Sequence, residues 1–212
     1  MMITIYHLGA SQSDRIVWLM EELNLPYKLE WFDRGADMLA PPEYRALHPV
    51  GTSPIIRDGD RVMAESAAIV EYISQRYGQA KLSIALDHEC YPDYLYWMQF
   101  NNNLQQLFFT KLGMGEGGEG GATDIIKAMT KRREDAYYHY LNDRLAESAY
   151  LAGPEFSCAD IMVMFNLTAL PLFGGRGIDD LEHVKAYVDR VSQRPAYIKA
   201  MAIAGPAAAR PA

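Results

Sequence analysis

Every stretch of this sequence patterned like a β-strand lies before Gly78, and none follows it. Ile3–Leu8 alternates and is rich in β-formers. From Ser11 the period changes. Ile16, Leu19, Met20 and Leu23 fall at i, i+3, i+4 and i+7, which puts them on one face of a helix. Asn24-Leu25-Pro26 ends that helix. Tyr27, Leu29 and Trp31 then alternate with charged residues, and Pro41-Pro42-Glu43 opens a short helix. Pro54–Arg57 and Arg61–Ala64 read as two short strands, with Asp58-Gly59 as a hairpin signal between them. Ala67–Tyr77 is helical and stops at Gly78. A parallel βαβ unit followed by an antiparallel ββα unit predicts a small mixed sheet covered by helices.

The remainder is helical by pattern, with helices expected over 88–112, 123–148, from Ser157, over 180–192 and over 195–203. The expected layout is a first domain over 1–78, a linker over 79–88, an all-helical domain over 89–204 and a loose tail over 205–212. The net charge of −7 argues against a nucleic-acid or anionic-membrane partner. No secretory signal is visible, and the apolar run Ile161–Phe173 is too short to span a bilayer. Two cysteines far apart, Cys90 and Cys158, suit a reducing cytoplasm. The five histidines are scattered without metal-ligand spacing, so no metal is expected. Gly113–Gly118 matches a dinucleotide-binding spacing, but it follows a helix and carries Glu116, so it reads as a loop.

Four places could carry chemistry or fix a helix. Pro54 opens a strand without an amide to give to the ladder. It is either a trans edge-strand proline or a cis one that turns the backbone of Ser53 toward an extended ligand. Glu65-Ser66 stands where a helix begins. It is either a cap or a grip on an α-amino acid group, with Ser66 and free amides on the carboxylate and Glu65 on the ammonium. Ser11-Gln12-Ser13-Asp14 is either a capping box or a turn whose hydroxyl and helix end stabilise a thiolate. Ser157-Cys158-Ala159-Asp160 is a capping box with Phe156 and Ile161 at staple positions, and its role is structural.

Taken in order, the motifs resemble the cytosolic glutathione transferases, in a bacterial-type form with a serine at the active turn. "HPVGTSPIIRDGDRVMAESAAIVEYI" is similar to the glutathione-binding segment of that family, and "YHLGASQSDRIVWLMEELNLPY" to its first strand, active turn and first helix. "FSCADIMV" and "RPAYIKAM" resemble its helical-domain signatures.

The resemblance implies a thioredoxin-like N-terminal domain (βαβαββα) and an all-α C-terminal domain. It implies a cytoplasmic homodimer that uses glutathione against a hydrophobic electrophile, as in detoxification. It favours the cis form of Pro54, with Thr52, Ser53, Pro54, Glu65, Ser66 and Arg34 around glutathione. Ser11 ranks first for the thiolate, then Ser13 and Tyr6. Helical spacing suggests Tyr94, Met98, Asn101 and Phe108 for the electrophile, bordered by the Gly-rich segment 113–121. Gly51-Thr52 stands where many members carry a lysine, and no cysteine lies at the active turn. Rival expectations are a glutathione-dependent peroxidase, a disulfide reductase, and a non-catalytic binding or assembly module.

Overall fold

A computed structural model describes residues 2–114 and 121–210, so most of the Gly-rich segment 113–121 lies outside the described residues. The chain forms two compact units, Met1–Ala85 with Val191–Ala212, and Leu86–Arg190.

The first unit holds a four-stranded sheet in the order β2-β1-β3-β4. β1 (Ile3–Leu8) pairs in parallel with β2 (Tyr27–Phe32), from Ile3↔Tyr27 to Leu8↔Phe32. β3 (Ile55–Asp58) runs antiparallel to β1 and to β4 (Arg61–Ala64). This is the mixed sheet of a thioredoxin-like domain, as the element order requires. β1 is buried almost throughout because both of its faces are covered. Tyr6 and Leu8 pack with Tyr44, Ile55 and Ala64. Strand alternation sends Ile5 and His7 to the other face.

The turn between β3 and β4 falls one residue later than Asp58-Gly59. Asp58 pairs with Arg61, and Gly59-Asp60 makes the loop, with Gly59 at φ +59°. The cause is local. One oxygen of Asp58 accepts from the hydroxyls of Tyr72 (2.6 Å) and Tyr77 (2.5 Å), which draws Asp58 into the ladder. Those tyrosines flank the end of α3 (Ser66–Arg76), which begins directly after β4.

α1 (Asp14–Glu22) follows β1, and its residues from Asp14 to Met20 are all buried. Ile16, Leu19 and Met20 form the predicted apolar face. The opposite side is covered by α8 (Pro195–Ala204), where Trp18 meets Tyr197 edge-on at 4.8 Å. Arg194 donates twice to the carboxylate of Glu22, at 2.7 and 2.8 Å. The segment 195–204 therefore packs on α1 rather than on the other helices. α2 (Pro42–Arg45) is a single turn that inserts Tyr44 into the sheet's core.

The second unit consists of α4 (Tyr91–Met114), α5 (Gly121–Glu147), α6 (Cys158–Thr168), a 3₁₀ turn at Leu170–Phe173 and α7 (Glu182–Ser192). Every residue of α6 from Cys158 to Leu167 is buried. α4 packs along it and along α5, with Trp97 stacked on Tyr140 at 5.5 Å. The predicted capping box starts α6. Ser157 Oγ accepts from the Ala159 amide at 3.3 Å, and Asp160 accepts from the Ser157 amide at 2.8 Å. Among the described residues no helix is long and apolar enough to cross a membrane, and no cluster of potential ligands could hold a metal ion.

Candidate active site

The site is built on the turn from β1 to α1. Gly9 closes it by donating to Phe32 O at 2.9 Å, and Ala10 takes a left-handed conformation at φ +50°. Arg34, which follows β2, clamps the turn. Its Nε donates to Gly9 O (2.9 Å), one Nη to Ala10 O (3.2 Å) and the other to Met38 O (2.8 Å). A planar guanidinium can reach several carbonyls at once in a way an ammonium cannot. Arg34 therefore braces the active turn through the backbone, and its charge is spent on carbonyls.

Ser11 is 5% exposed, and its hydroxyl does not form the capping box that its spacing permits. The helix starts later, with Ser13 as the cap residue, and the backbone carbonyl of Ser11 accepts from the Asp14 amide at 3.2 Å. The freed hydroxyl donates to Leu8 O at 2.6 Å and lies 2.8 Å from both Ser13 Oγ and Ser53 Oγ. Ser13 is fully buried behind it, 2.8 Å from His7 Nδ1. Tyr6 points elsewhere, because Arg57 Nε donates to its hydroxyl at 2.7 Å on the other face of β1. Of the three hydroxyls considered for the thiolate, only Ser11 touches Ser53.

The Ser53-Pro54 peptide is cis. The ladders of β3 end at Ile55, paired with Tyr6 and Ala64, so Ser53 stands beyond the last paired position of each. Thr52 is exposed next to it. At the far end of β4, Glu65 rather than Ser66 is the cap residue of α3, at φ +74° and ψ 110°, and no side chain caps the helix. Such a backbone is uncommon for a long side chain and clusters at ligand sites. Glu65 is exposed, while Ser66 is buried, with its hydroxyl 3.5 Å from Gln12 Oε1 in the active turn. Neither side-chain capping interpretation holds: the hydroxyl of Ser11 bonds within the turn and to Ser53, and that of Ser66 reaches Gln12, so neither closes the end of its helix.

His7 was not singled out by its sequence spacing. It is fully buried on β1, 4.3 Å from the Trp31 ring, and burial lowers its pKa from 6.5 to about 4. The unfolded chain therefore binds a proton below pH 6.5 that the native chain refuses until about pH 4. Stability from this group is complete above pH 6.5 and is lost as pH falls toward 4. At pH 5 the loss is about 2 kcal/mol, at 1.36 kcal/mol per unit. Urea titrations of His7→Asn should show a flatter acid limb than wild type by about that amount. Parallel limbs would count against a buried neutral imidazole.

Three of the four residues suggested for an electrophile pocket are interior. Tyr94, Met98 and Asn101 are buried in the helical unit, and Asn101 Oδ1 accepts from Asn166 Nδ2 at 2.8 Å. Their helical spacing is that of a core face. Phe108 is half-buried, packed against Phe165, Ala169 and Leu170. A separate groove of about 730 Å³ in this unit is lined by Lys111, Lys131, Glu134 and Arg176. Its charges largely pair among themselves, as in Lys111–Glu134 at 3.0 Å and Arg176–Asp180 at 2.7 Å.

Comparison with known proteins places this geometry in context. The family model described as "Glutathione S-transferase, N-terminal domain" matches residues 10–76, and "Glutathione S-transferase, C-terminal domain" matches 101–195. Glutathione S-transferase 3 of Schizosaccharomyces pombe is 31% identical over 92% of this chain and 85% of its own. Glutathione S-transferase 3 of Zea mays is 29% identical over 89% and 87%. The crystal structure of a glutathione S-transferase from Actinobacillus pleuropneumoniae superposes with a TM-score of 0.87 at 29% identity, covering 100% of this chain and 97% of that one. A theta class glutathione S-transferase from Xanthomonas axonopodis pv. citri, solved with glutathione bound, gives 0.69 at 25% identity, covering 96% and 98%.

Proposed function

The chain belongs to the glutathione S-transferase family, and from that membership we propose a serine-type transferase that binds glutathione along Ser53-Pro54 and Glu65-Ser66 and directs its thiolate at an electrophile. The carrying observation is the 2.8 Å contact between the hydroxyls of Ser11 and Ser53, which joins the active turn to the cis-proline segment. Glutathione is the co-substrate, and no metal takes part. Its γ-glutamyl ammonium meets the Glu65 carboxylate, and its α-carboxylate meets Ser66 and the free amides of the first turn of α3. Its cysteinyl backbone pairs with Ser53 beside Thr52, as an added strand would. The thiol then lies at Ser11. Its proton leaves to solvent, and the Ser11 hydroxyl donates to the sulfur anion. The sulfur forms a bond to the electrophilic carbon, whose leaving group departs with the electron pair. Arg34 acts on this site through the turn it braces. We further propose a cytoplasmic homodimer, which light scattering tests.

Calorimetry with glutathione and turnover of an aryl halide test the assignment. Glu65→Ala should weaken glutathione binding at least tenfold, the equivalent of about 1.5–3 kcal/mol for a hydrogen bond to a charged group. Because Glu65 is exposed, its melting temperature should stay within about 2 °C of wild type. A wild-type protein that binds no glutathione, and turns over no aryl halide, hydroperoxide or mixed disulfide, would refute the enzyme.

A further inference from the structure

The buried face of β1 carries a polar group that the transferase mechanism leaves unused. His7 Nδ1 lies 2.8 Å from Ser13 Oγ, and Ser13 Oγ lies 2.8 Å from Ser11 Oγ. The three groups form one chain that ends at the proposed thiolate donor. His7 Nε2 has no hydrogen-bond partner among the described residues. A neutral imidazole has one N–H, and it belongs on the nitrogen that has an acceptor. An orphaned buried N–H is rarer than an under-used acceptor. This places the hydrogen on Nδ1, donating to Ser13.

The direction of the whole chain follows. Ser13 Oγ accepts from His7, and from the Leu8 amide at 3.2 Å, so its own hydrogen turns to Ser11 at 2.8 Å in preference to Leu8 O at 3.4 Å. Ser11 Oγ also accepts from the Ser13 amide at 3.3 Å. With the Ser13 hydroxyl and amide donating to it, Ser11 directs its own hydrogen away from Ser13, with Leu8 O at 2.6 Å and Ser53 Oγ at 2.8 Å as the acceptors in reach. It donates to Leu8 O when no ligand is bound and to a sulfur anion when one is. With the opposite tautomer, Ser13 would donate to His7, and Ser11 could turn its hydrogen back into the protein.

We propose that His7 is a positioning residue for thiolate stabilisation: through Ser13 it fixes the direction of the Ser11 hydroxyl and polarises it toward the glutathione sulfur. This rests on Ser11 as the thiolate donor. No proton moves along the chain, because hydrogen bonds that align in series strengthen one another without transfer. Burial keeps the ring neutral at neutral pH, so the donor pattern is constant there.

The test is the pKa of the thiol of bound glutathione, read from thiolate absorbance in the binary complex, with kcat and KM measured beside it. His7→Leu and Ser13→Ala break the chain at different links, and Ser13→Ala changes little volume. Both should raise the thiol pKa by roughly half to one unit and lower kcat at pH 6.5 about two- to fivefold. KM for glutathione should stay within about twofold, since the γ-glutamyl grip is intact. His7→Asn, which puts an N–H donor at the Nδ1 position, should restore the wild-type value. In Ser11→Ala, adding His7→Leu should cost nothing further. If Ser11→Ala raises the thiol pKa while Ser13→Ala and His7→Leu leave it unmoved, the inference about His7 fails alone. If His7→Leu impairs and His7→Asn does not restore, the donor direction is wrong. If Ser11→Ala itself leaves the thiol unmoved, the thiolate assignment fails, and this inference with it.

Discussion

Ser11→Ala is expected to cut aryl-halide conjugation about 50-fold at pH 6.5 and only a few-fold at pH 9. A free thiol with a pKa of about 8.5 is roughly 1% ionised at pH 6.5. A bound thiol brought near pKa 6.5 is about half ionised there, so the donor's main contribution is the thiolate fraction. As pH rises, solvent ionises the thiol without help, and the gap between wild type and variant should close. The converging profile separates this role from others. A residue that only shaped the turn would lower the rate by a similar factor at both pH values. A residue that only bound glutathione would raise KM and leave kcat alone. Equal rates for wild type and variant at pH 6.5 would remove Ser11 from the mechanism. The variant is a mild one structurally. It removes the donor to Leu8 O and an acceptor for the Ser13 amide, a loss of about 1–2 kcal/mol.

The fold was legible because its signals are local. Period-2 and period-3.6 runs, with Pro and Gly between them, give the order of the strands and helices and their ends within about three residues. What escaped was decided by partners distant in sequence. Nothing near Arg194 shows that it pairs with Glu22 across the unit, a separation of 172 residues. α8 therefore reads as one more member of the helical domain. At Ser11 and Ser66 the sequence admits two roles, cap or ligand contact, and cap geometry decides against the first. Arg34 reads as a cation that could reach a carboxylate, and only its three carbonyl partners show a brace. His7 was visible as an inward-facing polar residue on a strand. Metal-ligand spacing was the wrong filter for it, since its partner is a serine. Tyr94, Met98 and Asn101 show the reverse problem, because a pocket wall and a core face have the same helical period.

The largest stability effect is expected at Asp160, which organises the helical unit. Its carboxylate is fully buried and accepts from the Ser157 amide (2.8 Å), the Leu151 amide (3.0 Å) and the Tyr187 hydroxyl (2.9 Å). Burial pushes its carboxyl upward, and these donors pull it back. One side chain thus starts α6, pins the Leu151 segment and anchors α7. With the Ser157 hydroxyl, which also donates to Asp160 at 3.3 Å, Asp160→Ala would strip four buried donors of this acceptor at once. Each costs about 1–3 kcal/mol where the site cannot relax, and breaking a buried charged network typically costs about 3–5 kcal/mol in total. That is a fifth or more of the 5–15 kcal/mol that holds an ordinary protein together. The melting temperature should fall by about 10 °C. Asp160→Asn keeps the shape and one acceptor oxygen, so it should cost less. Ser157→Ala loses only a cap, worth about 1 kcal/mol. The order Asp160→Ala, Asp160→Asn, Ser157→Ala in thermal or urea unfolding follows from counting the donors each change strands. Asp160→Ala melting no earlier than Ser157→Ala would mean that the α6 cap alone matters, and that Leu151 and Tyr187 find other partners when the carboxylate is gone.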